Sequence, residues 1–137
     1  MKCLVTGATG FTGGYLSRAL LRDGHQVRAL VRPGSASAAL ADAGIEVVEG
    51  QLTRADDVAA AARECEQIYH IAAVFRTAGH PDSYYREVNV GGTLNVLEAA
   101  RRHGCERVVH CSTGGVHGHG ANPPADENYP FQPDDSY

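Results

Sequence analysis

The stretch Leu4-Val5-Thr6-Gly7-Ala8-Thr9-Gly10-Phe11-Thr12-Gly13 ends an apolar run in glycines spaced three apart, and residues in helical spacing follow at once. A turn of this kind is shaped to receive a pyrophosphate. Gly7 lets the chain leave a strand tightly, Gly10 lets the anion approach the backbone with no Cβ in the way, and Gly13 lets the next helix press against the sheet. The amide groups and positive dipole end of that helix then face the charge. Ordinary tight turns also use glycine, but a position between a strand and a helix is what phosphate binding requires.

The rest of the chain alternates strand and helix patterns. Strands are expected at Lys2–Thr6, Gln26–Val31, Glu46–Glu49, Gln67–Ala72 and Arg107–Ser112. Between them, Leu16, Ala19 and Leu20 fall at helical spacing before Gly24, and Ala36 to Ala43 reads as a short helix before Gly44. Arg54–Glu64 is alanine-rich with Asp56 and Asp57 near its start, while Val90, Leu94 and Leu97 line one face of a longer helix closed by Arg101, Arg102 and Gly104. Acidic starts, basic ends and a following glycine are the expected helix boundaries. The sum is βαβαβαβαβ, hence a Rossmann-type, doubly wound α/β fold with a parallel sheet of about five strands in the order 3-2-1-4-5. Residues 1–137 fit a single dinucleotide-binding domain, in which 118–137, rich in Gly, Pro, Asn and Asp, is a long loop.

Charge and composition remove several classes of partner. Twelve Lys and Arg against sixteen Asp and Glu leave a net charge of −4, and Lys2 is the one lysine, so no basic face is offered to nucleic acid. No apolar stretch approaches the ~20 residues of a membrane span, and the first strand begins too near Met1 for a secretory leader, so the expected compartment is the cytoplasm. Cys3, Cys65, Cys105 and Cys111 are scattered, which suggests reduced thiols rather than a disulfide framework. His110, Cys111, His117 and His119 lie close in sequence, but neighbours on a strand point to opposite faces, which spoils joint metal ligation.

In a doubly wound sheet, ligands bind beyond the carboxyl ends of the strands. The second strand ends Val31-Arg32-Pro33, where a carboxylate would grip the ribose hydroxyl of NAD. Arg32 instead suits the extra phosphate of NADP, which makes NADP the favoured cofactor and NAD the other one the site admits. After the fourth strand, the small side chains of Ala72 and Ala73 let a cofactor lie close, and His70 reads as a packed strand histidine rather than a base. The fifth strand ends in Ser112 and Thr113, hydroxyls that either bond their own turn or hold a substrate oxygen while a tyrosine, Tyr137, moves the proton.

Four segments together resemble the extended short-chain dehydrogenase/reductases, the NAD-dependent epimerase/dehydratase family. Thr6 to Gly13 is similar to its TGxxGxxG turn, His70-Ile71-Ala72-Ala73 to its HxAA strand end, Asn89-Val90-Gly91-Gly92-Thr93-Leu94-Asn95 to its NVxGTxN helix, and Ser112 to Gly118 to its S(S/T)xxVYG strand end. Val31-Arg32 resembles the dihydroflavonol-reductase-like branch. The resemblance implies catalytic roles for Thr113 and for Tyr137 as the first residue of a YxxxK pair. It implies cofactor contacts from Gly7, Thr9, Gly10, Phe11, Thr12, Gly13, Arg32, Gln51, Leu52, Ala72, Ala73, Asn89 and Ser112. Gln51-Leu52 stands where the family has Asp-Leu near the adenine, and His117 replaces the tyrosine of VYG.

The implied reaction is hydride transfer between nicotinamide and a carbinol or ketone carbon of a small hydroxylated molecule, a nucleotide sugar or a flavonoid- or steroid-like alcohol. The lysine that the resemblance expects four positions after Tyr137, and the substrate lobe, are missing from the chain as given, which is therefore expected to be a cofactor-binding part, inactive by itself. Its fifth strand should then be an open edge prone to self-association, and a homodimer on helices flanking the site is allowed. A second function class, a module of this fold that senses the cofactor without turnover, differs in lacking that lysine.

Overall fold

The computed structural model describes residues 1–75, 79–118 and 124–132. Five strands, β1 (Lys2–Thr6), β2 (Gln26–Val31), β3 (Glu46–Glu49), β4 (Gln67–His70) and β5 (Arg107–His110), form one parallel sheet in the order β3-β2-β1-β4-β5. The register follows from burial on both faces: Leu4 lies beside Arg28 on one side and Ile68 on the other, and Ile68 beside Val108. Alternate residues of the central strands enter two separate cores. Cys3, Val5, Val27, Ala29 and Val31 pack under α1 (Phe11–Arg22) and α2 (Ala38–Asp42) with Leu20 and Leu40. Leu4, Leu30 and Ile68 pack on the opposite face under α3 (Ala55–Ala62) and α5 (Gly92–His103).

The second core is made of small side chains where its helices meet: Ala61 and Ala62 from α3 stand with Val96, Ala99 and Ala100 from α5, all at most 6% exposed. The spacing of Val90, Leu94 and Leu97 predicts that they line one face of the long helix. They do share a side, but it is the outward one, at 49%, 60% and 48% exposure. Alanines bring the helix axis closer to the sheet than leucines would, so the leucines are left outside.

Several boundaries also move. The strands expected to reach Ala72 and Ser112 stop at His70 and His110; past the end of β4 the Ala72 amide bonds the Thr6 hydroxyl (3.2 Å) instead of extending the ladder. The second helix covers Ala38–Asp42 rather than Ala36–Ala43. α3 ends at Ala62 rather than Glu64, since Arg63 is extended and Glu64 takes φ +63°. Ahead of α5, the chain forms α4 (Asp82–Tyr85) and one π-helical turn, Arg86–Gly91, which hydropathy spacing could not reveal.

At the amino end of the sheet, Arg28 is 7% exposed and ties three elements together. Its guanidinium donates to the carbonyls of Ala61 (2.8 Å) and Arg63 (2.7 Å) at the end of α3 and pairs with Glu46 of β3 (2.9 Å). This closes the end of the sheet opposite the strand carboxyl termini. Among the described residues, no helix is long and apolar enough to cross a membrane.

Candidate functional site

The carboxyl ends of β1, β2 and β4 open on a cleft of about 670 Å³, within the ordinary range of small-molecule sites. Its floor is the glycine turn. Gly7 holds φ +76°, and a Cβ there would come within 2.8 Å of the Ala72 amide nitrogen, so both conformation and space demand glycine. A Cβ on Gly13 would overlap the Gly7 carbonyl oxygen. Helix α1 starts at Gly10 with no side-chain cap and no acidic residue in its first turn. The amides of Phe11, Thr12 and Gly13 are therefore the leading donors of the helix, with no intrahelical acceptor, and all three residues line the cleft.

The structure brings most of the sequence-derived site together. Gly7, Thr9, Gly10, Phe11, Thr12 and Gly13 form the floor, Arg32 one wall with Gln51 and Leu52, and Ala72 and Ala73 the opposite wall. Arg32 is exposed at the end of β2; Glu87, the acid among the lining residues, belongs to the π-helical turn and not to β2. Gln51 is fixed through its backbone, whose amide donates to Asp57 Oδ2 (2.9 Å). The Leu52 side chain lies against Gly92, where any Cβ would meet it at 2.6 Å, and the Leu52 carbonyl accepts from Asn95 Nδ2 (2.9 Å).

Asn89 is not in the lining but stands behind it. Its Oδ1 accepts from the Val74 amide (2.8 Å) while its Nδ2 donates to the Val74 carbonyl (3.0 Å), so one side chain holds both backbone groups of the cleft wall. His70 is 1% exposed, with Nδ1 2.8 Å from Thr6 Oγ1 and Nε2 2.9 Å from Thr93 Oγ1. Burial, and secondarily the nearby His110 ring at 5.2 Å, push its pKa down to about 4, so it is neutral at physiological pH. Burial likewise pushes the Cys65 thiol up to about 11.

Ser112 and Thr113 follow β5 at the same end of the sheet, outside the cleft lining. Thr113 caps a 3₁₀ turn, Gly114–His117: its Oγ1 accepts from the Gly115 amide (3.2 Å). That bond occupies an acceptor site of the hydroxyl and leaves its proton to donate. Tyr137 and His119 lie outside the described residues. Sequence reasoning gave no role to Thr6, which lines the cleft, or to Thr93 and Asn95, which brace it from behind; all three sit inside the quoted TGxxGxxG and NVxGTxN segments, which were the available signal.

Residues 3–137 match the model of the "NAD dependent epimerase/dehydratase family". The chain is 38% identical over 140 residues to sterol demethylase protein B of Methylococcus capsulatus, covering 100% of this chain and 43% of that protein. It is 39% identical over 137 residues to a 3 beta-hydroxysteroid dehydrogenase/Delta 5-->4-isomerase of Mycobacterium tuberculosis, covering 95% and 36%. Among solved structures, UDP-glucose 4-epimerase of Thermus thermophilus in complex with NAD superposes with a TM-score of 0.88 at 31% identity, over 100% of this chain and 46% of that one. The chain thus spans less than half the length of these relatives.

Proposed function

The chain belongs to the NAD dependent epimerase/dehydratase family, and on that premise we propose that it is the dinucleotide-binding part of an oxidoreductase or epimerase/dehydratase. The observation that carries this is the cleft floor: a turn with glycine at positions 7, 10 and 13, topped by three leading helix amides and flanked by the exposed Arg32. Nicotinamide dinucleotide fits such a floor because its diphosphate needs backbone donors at close range. When bound, the nicotinamide supplies the hydride donor or acceptor.

The residues of the chain do the remaining work. The amides of Phe11, Thr12 and Gly13 take the diphosphate, Arg32 the 2′-phosphate of NADP in preference to the bare ribose of NAD, and Gln51 with Leu52 the adenine side. Ala72 and Ala73 give the flat wall along which the cofactor lies. Thr113 donates its free hydroxyl proton to the oxygen of a carbinol or ketone substrate, and Tyr137 exchanges the proton of that oxygen. A phenol titrates near 10, so this base needs neighbouring positive charge to act near neutrality. The substrate class is a small hydroxylated molecule. The two curated relatives are named for sterol and steroid chemistry and the structural one for a nucleotide sugar, which supports a steroid-like alcohol or a nucleotide sugar.

Calorimetric titration with NADPH and with NADH tests the reading. Saturable heat with both, stronger for NADPH, is expected; no heat with either on folded material refutes it.

A further inference from the structure

Behind the wall of the cleft lies a chain of hydrogen bonds whose direction can be worked out. Thr93 Oγ1 lies 2.6 Å from the Asn89 carbonyl, an acceptor, so the single Thr93 hydroxyl proton is spent there. His70 Nε2, 2.9 Å from the same oxygen, must then be the donor. A neutral imidazole carries one N–H, so His70 Nδ1 is bare and accepts from the Thr6 hydroxyl at 2.8 Å. With its own proton given to His70, Thr6 Oγ1 has lone pairs left for the Ala72 amide at 3.2 Å. The direction is fixed from end to end: Ala72 amide to Thr6, Thr6 to His70, His70 to Thr93, Thr93 to the Asn89 carbonyl.

This chain ties together three separate pieces of the cleft. Thr6 precedes Gly7 of the phosphate turn, Ala72 belongs to the opposite wall, and Thr93 with Asn89 lies on the helical segment whose Asn89 side chain grips Val74. The π-helical turn, Arg86–Gly91, contains Asn89 and ends just before Thr93, so it sets where both side chains aim. We propose that His70, locked as the Nε2–H tautomer between Thr6 and Thr93, is a positioning residue that holds the Ala72–Val74 wall in register with the phosphate turn. His70 touches no reacting atom in this arrangement; it acts through the backbone it fixes. The lock requires a neutral ring, since a second proton on Nδ1 would point at the Thr6 hydroxyl proton. The charged or titratable group facing the ring from the neighbouring strand is His110.

The role for nucleotide binding rests on the function proposed above, but the lock can be read without any ligand. In ¹⁵N-labelled protein, His70 should show a pyrrole-like Nε2 and a pyridine-like Nδ1 at neutral pH. Thr93→Val, nearly isosteric, should disturb that pattern and shift the Ala72 and Val74 amide resonances, and Thr93→Ser should restore both. NADPH affinity should fall roughly fivefold to tenfold in Thr93→Val, the worth of about one buried hydrogen bond, and recover in Thr93→Ser. An Nδ1–H tautomer in the wild type, or Ala72 and Val74 amides unmoved by Thr93→Val, overturns the lock. Unchanged NADPH affinity in Thr93→Val overturns its role in positioning. Wild-type protein that binds neither dinucleotide while showing the Nε2–H tautomer refutes the reading of the cleft instead.

Discussion

Alanine at Gly10 and alanine at Gly13 should fail in different ways, and the difference tests what the turn is for. A Cβ on Gly13 runs into the Gly7–Ala8 backbone: it overlaps the Gly7 carbonyl oxygen, lies 2.6 Å from the Gly7 carbonyl carbon and 3.0 Å from Ala8 Cα. Backbone cannot swing aside as a flexible side chain can, so Gly13→Ala must spread α1 from the turn. Overpacking of this kind costs about 1–3 kcal/mol or more, and both stability and dinucleotide affinity should drop. Gly10 is another case. Its φ of −85° suits any residue, and the nearest atom to its Cβ is the Gly7 oxygen at 3.3 Å, a contact relieved by a few tenths of an ångström. Losing glycine at a helix N-cap costs up to about 1 kcal/mol, while restricting the unfolded chain returns about 0.4–1 kcal/mol. Gly10→Ala should therefore melt within a few degrees of wild type. Its methyl group would nevertheless stand at the cleft floor, where it displaces the diphosphate from its amides. Hydrogen bonds to a charged group are worth about 1.5–3 kcal/mol, so the dinucleotide Kd should rise roughly tenfold to 150-fold. Thermal melts with calorimetric titration separate the two variants. Gly10→Ala binding as tightly as wild type would refute the idea that the diphosphate approaches this backbone.

Three further outcomes follow from named contacts. Arg32→Asp should weaken NADPH binding and leave NADH binding equal or better, since the acid repels a 2′-phosphate and can accept from a ribose hydroxyl; unchanged discrimination in paired titrations removes the NADP preference. His70 titrates at about 4 when folded against 6.5 when free, so the unfolded chain takes up the proton first and stability falls with acid between those values. The full effect is about 3 kcal/mol, of which about 2 kcal/mol should be lost between pH 6.5 and 5, above the carboxylate range, and urea midpoints that stay level over that interval would contradict it. Arg28→Ala should cost about 2–4 kcal/mol, because the carbonyls of Ala61 and Arg63 lose a charged donor; a urea midpoint shift under a fifth of the wild-type value would show that the guanidinium contributes little.

The sheet order and the floor of the cleft were legible because each rests on a local rule. Strands buried on both faces leave runs such as Cys3-Leu4-Val5 and Val27 to Val31, and the glycine spacing states where a Cβ cannot go. The bracing behind the wall was not legible, since Thr6, His70, Thr93 and Asn89 are brought together only when β1, β4, the π-helical turn and the start of α5 pack. His70 was read correctly as a packed histidine, but packing alone did not say that both of its nitrogens would be used.

The orientation of α5 shows a limit of periodicity as evidence. Val90, Leu94 and Leu97 repeat at helical spacing and so share a side, yet spacing says nothing of which side meets the sheet. Here the choice is made by the other stripe, Gly92, Val96, Ala99 and Ala100. Gly92 accepts Leu52 in direct contact, and the alanines let α5 lie tightly against α3. Turning α5 to bury its leucines would push the helix outward, pull Thr93 from His70 and release Asn89 from Val74. Small residues on the inner stripe are thus a condition for the cleft wall standing where it does, and in a helix that braces a binding site, volume decides orientation before hydrophobicity does.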